Sequence, residues 1–167
     1  VGVLHHMDNP FKGWKILTSC LNNDSLMLIG LYSEKARQHI KEIKNKINKI
    51  KLQSNYKNII KFRKDLIENN DNDLNYIKSS PDFYTVSGVR DLLFHVQEHR
   101  FTISKIKEYL DKLGLIFLGF EDQLVKEKFK EIYSNKIDLY NLDKWEEYEK
   151  NNPRTFAGMY QFWCKKI

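Results

Sequence analysis

Two histidines, a carboxylate and a phenol stand beside two short apolar runs. His5, His6 and Asp8 follow GVL, and Tyr32 follows LMLIGL. In an open parallel sheet, ligands lie in the crevice beyond the carboxyl ends of the strands. If the two runs are neighbouring strands, these four side chains share that crevice, where they can bind a cofactor edge, orient a substrate or take a proton near neutral pH. The competing reading is that His5 and His6 close a strand and bond to backbone. A second group comprises Arg90, Asp91, His95, Glu98 and His99. Within it, HVQEH spells the H-x-x-E-H of inverted zinc peptidases, in which two histidines hold zinc and the glutamate is the base. That chemistry needs a helix to bring both histidines to one face and a third ligand well downstream. A new helix start at Thr102 follows the motif at once, and 68 residues remain after His99. No metal site is therefore expected, although zinc stays the sharp rival. In the tail, Phe156, Tyr160, Phe162 and Trp163 either stack on a planar substrate or pack in a core.

The elements that would position these groups follow from periodicity. Asn9 and Pro10 supply an N-cap and a first-turn proline. A helix then runs to about Leu21 with Phe11, Trp14, Leu17 and Leu21 on one face, and LMLIGLY is a continuous apolar run, as in a strand covered on both faces. Strand, helix and strand make a βαβ unit, hence a parallel sheet. From Glu34 to about Leu52 the apolar residues Ala36, Ile40, Ile43, Ile47 and Ile50 give a helix with one narrow apolar stripe and a lysine-rich back. A second helix is expected over Tyr56–Ile67, and the polar stretch over residues 69–81 is expected to be a long connection. Downstream, Thr102 can cap a helix whose Ile103, Ile106, Leu110 and Leu113 face inward. Gly114 suits its C′ position, and LIFLGF is a buried strand. Two further helices are expected near Asp122–Tyr133 and from an Asp143 cap. The fold class is α/β.

Composition limits function more than it names it. In 167 residues, 41% are hydrophobic and 30% charged, with 7 Gly and 3 Pro, which excludes a disordered or collagen-like chain. No apolar run approaches the roughly 20 residues that span a bilayer, so no membrane partner is expected. Cys20 and Cys164 lack CxxC or zinc spacing, so two free thiols in a cytoplasmic setting are expected. The net charge of +6 is local: residues 34–66 carry +8 and the rest of the chain −2. With 23 Lys against 5 Arg, and no RNA-binding motif, the excess argues against a nucleic-acid partner.

GVLHHMDNPFKGWKILTSCLNNDSLMLIGLYS resembles the fourth strand, following helix and fifth strand of class I S-adenosylmethionine-dependent methyltransferases, most closely the bacterial type whose domain often follows tetratricopeptide repeats. SGVRDLLFHVQEHRFTI, LIFLGFE and NPRTFAGMYQFW extend the likeness along the chain, with residues 34–68 loosely matched. The resemblance implies a doubly wound, Rossmann-like sheet with inserted helices, divided as 1–33 (βαβ end of the core), 34–81 (basic helical insertion and connection) and 82–167 (substrate-side strand and helix part). It implies S-adenosyl-L-methionine as cofactor, with its methyl-bearing end near His5, His6 and Asp8. His6, His95 and His99 become candidate bases, and Tyr32, Arg90, Asp91, Glu98 and Tyr160 candidate contacts to the methyl acceptor. The family's glycine-rich loop has no counterpart here. The expectation is thus the C-terminal portion of such an enzyme, inactive alone, whose N-terminal cofactor-binding half lies upstream on the same polypeptide, with the tetratricopeptide repeats that the resemblance to that bacterial type implies. The alternative is a non-catalytic, methyltransferase-like module that contacts an acidic partner through its basic helices.

Overall fold

The Asn9 side chain accepts a hydrogen bond from the Lys12 amide at 2.9 Å, and Pro10 occupies the first turn of α1 (Pro10–Ser19). Both are the groups a helix start requires. The computed structural model describes residues 1–68, 77–78, 80–95 and 97–167. It divides into two compact units, Val1–Ala36 with Gln97–Ile167, and Arg37–Val96.

The first unit is built on a four-stranded sheet of order β2-β1-β4-β3, comprising β1 (Leu26–Ser33), β2 (Arg100–Phe101), β3 (Leu115–Phe120) and β4 (Tyr160–Lys166). β2 runs parallel to β1, while β4 is antiparallel to both β1 and β3. Three strands therefore point one way and the last is wedged between two of them, a mixed sheet of the kind α/β proteins often carry. The sheet is not the wholly parallel one expected.

A second correction concerns the start of the chain. Leu4–His6 form a 3-10 turn instead of the strand expected of GVLHH. The place beside the carboxyl end of β1 goes to β2, in register Tyr32↔Arg100 and Ser33↔Phe101. The His99 amide then donates to the His5 carbonyl at 2.7 Å. A run of four or five apolar residues carries no periodicity that separates strand from turn, and here the long-range pairing decides.

Helices α5 (Ile103–Leu113), α6 (Gln123–Ile132) and α7 (Leu142–Asn151) complete this unit. The side chains of Thr102 and Asp122 cap the first two, and Gly114 closes α5 in the left-handed conformation at φ 63°. α7 is capped by Asn141, which accepts from the Asp143 and Lys144 amides, so Asp143 is inside the helix and not its cap. The core lies on one side of the sheet. Ile29 and Leu31 of β1, Phe117 of β3, and Tyr160, Phe162 and Cys164 of β4 meet Trp14, Ile106, Leu110, Phe129 and Trp145 there. The intervening Leu28, Gln161 and Trp163 face the other way and stay half-exposed, as the two-residue period of a strand demands.

The second unit is helical: α2 (Gln38–Lys49), α3 (Tyr56–Glu68) and α4 (Val86–Phe94), with a 3-10 turn at Pro81–Tyr84. Of the apolar stripe expected over Ala36, Ile40, Ile43, Ile47 and Ile50, the middle three are buried in α2 and pack in one cluster with Ile59, Leu66, Phe83, Val89 and Leu93, whereas Ala36 precedes the helix and Ile50, just past its end, is exposed. Thr85 caps α4 through the Gly88 amide at 2.9 Å. The polar connection expected over residues 69–81 lies largely outside the described residues.

Candidate functional site

The carboxyl end of β1 gathers side chains on both faces of the sheet, because Tyr32 and Ser33 are consecutive and point to opposite sides. On the Tyr32 face the chain assembles three rings. The His5 and Tyr32 ring centroids are 3.8 Å apart with planes inclined by 32°, and His6 stands edge-on to both, 4.3 Å from His5 and 5.8 Å from Tyr32. His5 is completely buried, whereas His6 and Tyr32 are half-buried.

The segment before β2 braces this group. His6 Nδ1 lies 3.0 Å from the Gln97 carbonyl oxygen. A carbonyl only accepts, so Nδ1 carries the proton, and in the neutral ring Nε2 is the basic nitrogen. His99 adds the backbone bond to His5, and its Nε2 lies 3.5 Å from Gln97 Nε2. Just beyond, Arg100 and Glu34 form a partly buried ion pair at 3.0 Å, tying the residue after β1 to the start of β2.

On the Ser33 face lies a buried carboxylate. Glu149 of α7 has no exposed surface. It accepts from Ser33 Oγ at 2.6 Å and from Tyr160 OH at 2.7 and 2.8 Å, with Lys35 Nζ at 3.8 Å. Ser33 Oγ in turn accepts from the Ala36 amide at 3.0 Å, turning the chain at the end of β1. Burial holds the Glu149 carboxyl above the usual carboxylate range, although the Ser33 and Tyr160 donors and Lys35 oppose this. The Tyr160 hydroxyl is pushed up first by its own burial and then by the neighbouring Glu149 charge. Cys164, in the same core, has its thiol pushed up to about 12 by burial.

Of the residues singled out by sequence, His5, His6, Tyr32 and His99 are thus brought together, with Glu98 half-buried between His99 and Gln97 in the chain. Asp8 is exposed just beyond the His5–His6 turn. Arg90 and Asp91 lie on the exposed side of α4, and His95 follows that helix; all three belong to the second unit. Residues 95 and 97–99 are not helical, so HVQEH does not present its two histidines on a helix face. Among the described residues no three His, Cys, Asp or Glu side chains are placed to hold a metal ion. Tyr160 is a correction as a substrate contact, because its hydroxyl is committed to Glu149 and its ring is wholly buried. Phe156 and Phe162 are core as well.

Sequence reasoning missed Glu149, Ser33 and Gln97. Glu149 had a signal: Leu142, Trp145 and Glu149 recur at helical spacing on the buried side of α7, which puts an acid in an apolar stripe. The role of Gln97 is played by its backbone, which no side-chain pattern records.

No protein-family model matches the chain. It is 23% identical over 158 residues to an uncharacterized protein of Synechococcus sp., a match that takes 89% of this chain and 38% of that one. The chain therefore spans well under half the length of that curated relative. Among the described residues no helix is long and apolar enough to cross a membrane.

Proposed function

We propose that this chain is the substrate-side portion of a class I S-adenosylmethionine-dependent methyltransferase acting on a small molecule or a protein side chain. The observation that carries the reading is the ring cluster of His5, His6 and Tyr32 beyond the carboxyl end of β1. Support also comes from the resemblance of VLHHMDNP and GLYS to strand ends of that family.

The residues present suit only one end of the cofactor. Tyr32 is half-buried and packed on the wholly buried His5, and its phenol ring is of the kind that favours a cation such as a sulfonium. The seven glycines of the chain are scattered and form no glycine-rich loop, so the phosphate-free adenosine end requires groups from another part of the polypeptide. When bound, S-adenosylmethionine supplies an electrophilic methyl group, and transfer then depends on alignment and, for a protic acceptor, on a base.

In this reading His6 is the base: its Nδ1–H is directed at the Gln97 carbonyl, which makes Nε2 the basic nitrogen of the neutral ring. Tyr32, packed on buried His5, forms the wall, and the Glu34–Arg100 pair ties the end of β1 to the start of β2. His99 positions the His5–His6 turn through its backbone. Glu98, in the same unit as the ring cluster, is the proposed acceptor contact.

The test is spectroscopic. S-adenosylhomocysteine, added to the polypeptide extended upstream, is expected to shift the ring resonances of His6 and Tyr32. Binding that leaves both unmoved would overturn this placement, and absence of binding would overturn the function.

A further inference from the structure

Around α3 the side chains fall into three zones. Ile59 and Leu66 are buried and, with Phe62 packed against them, belong to the core of the second unit. Beside them Tyr56, Ile60 and Ile67 are 63%, 41% and 51% exposed. At about 3.6 residues per turn these three share an arc of about 40°. Half-buried Arg63 flanks that arc on the core side, its guanidinium carbon 5.6 Å from the Phe83 ring centre. Exposed Lys57, Lys61 and Lys64 flank it on the other.

Positions 56, 60, 63 and 67 are spaced 4, 3 and 4 apart, which is the spacing of a helix–helix seam with one slot taken by arginine. Lys64 reaches Glu68 at 3.8 Å, whereas Lys57 and Lys61 meet no carboxylate among the described residues. The buried Nε of Arg63 also has no hydrogen-bond acceptor there. An apolar seam, with Arg63 in one slot and three lysines interspersed with Asp65 and Glu68 along one flank, is thus exposed, where a merely solvated lysine face would carry no such seam.

We propose that this face of α3 docks an amphipathic helix of a partner protein, with apolar residues at the same alternating spacing and carboxylates along the flank that meets Lys57, Lys61 and Lys64. A narrow seam separates this partner from a membrane surface, which calls for an apolar face of roughly 100° or more. Nucleic acid would engage the lysines but leave Ile60 and Ile67 uncovered. A second copy of this chain would set lysine against lysine across the seam. The inference stands apart from the methyltransferase reading and uses none of its residues.

The experiment uses the full chain and fluorescein-labelled synthetic helices. One has leucines at three-and-four spacing flanked by glutamates; another keeps the leucines and has lysines for the glutamates. Phosphatidylglycerol vesicles and poly(U) are the other probes. The glutamate peptide is expected to bind, with affinity falling as salt rises. Two lost isoleucine contacts amount to a roughly tenfold or greater weakening in an I60D/I67D variant. The K57E/K61E/K64E variant is expected to prefer the lysine peptide. Circular dichroism checks that each variant keeps its helix content; should the isoleucine variant unfold, the exposed lysine reversals decide the matter. The proposal is overturned if the glutamate peptide fails to bind, if charge reversal leaves the preference unchanged, or if vesicles or poly(U) bind more tightly.

Discussion

Ser33 Oγ donates to Glu149 Oε1 at 2.6 Å across 116 positions of chain, with both residues buried. This bond ties the carboxyl end of β1 to α7, and the residue immediately before Ser33 is the Tyr32 that packs on His5. A structural anchor on one face of the sheet thereby holds a candidate site on the other.

Breaking that anchor should be costly. Replacing Glu149 by Leu leaves the Ser33 and Tyr160 hydroxyls buried without their acceptor, an expected loss of about 2–4 kcal/mol in urea unfolding. Glu149→Gln keeps an acceptor oxygen and should lose less. The pH dependence has a definite sign. The folded pKa of Glu149 lies above its unfolded value, so its contribution is fully present below the unfolded pKa and is lost as pH rises through the folded one. The stability of the parent relative to E149Q should therefore fall from acid toward neutral pH; a flat difference would refute the assignment.

Tyr32 contributes its ring to the cluster, packed on His5 and edge-on to His6. Tyr32→Phe should remain within about 1 kcal/mol of the parent, whereas Tyr32→Ala removes the stack on buried His5 and should cost about 2–3 kcal/mol. Thermal unfolding of the two variants checks this, and equal losses would point to the hydroxyl instead.

His6 should be found as the Nδ1–H tautomer. Long-range proton–nitrogen correlation spectra of the neutral ring are expected to show a protonated Nδ1 and an unprotonated Nε2. The opposite tautomer would break the bond to Gln97 and remove His6 as a base through Nε2. His6→Asn, whose amide nitrogen can replace Nδ1 as donor, should fold like the parent.

Gly30 marks a close approach on the outer face of β1. A methyl group there would run into the Val1 side chain and lie 2.9 Å from Met159 Sδ. Gly30→Ala is expected to cost about 1–3 kcal/mol by overpacking, read from the urea midpoint. A neutral result would show that Val1 and Met159 move aside freely.

Local signals in the sequence carried much of the secondary structure. Caps at Asn9 and Thr102, the left-handed Gly114 and the buried Ile40, Ile43 and Ile47 of α2 are set within one or two helical turns and lie where the spacing puts them, whereas Ile50 is exposed past the helix end and the cap expected at Asp143 falls to Asn141. What escaped depends on distant chain. Tyr160–Lys166 alternates buried and half-exposed residues as an inserted strand should, yet its aromatic residues suit a packed tail equally well until β1 and β3 are known to flank it. GVLHH turns instead of extending because β2 arrives beside Tyr32. For the site, the sequence reading put His5 and His6 near Tyr32 by taking GVLHH as a neighbouring strand; the rings do meet, but from a 3-10 turn. The burial of Tyr160 and the bracing by Gln97 were not, since one depends on a helix far along the chain and the other on a backbone carbonyl.

The central claim is most directly tested by calorimetric titration of S-adenosylhomocysteine into the polypeptide extended upstream, with the 167-residue chain alongside. The account predicts micromolar binding by the extended protein, lost or greatly weakened in the shorter chain. Absence of binding by both would contradict it.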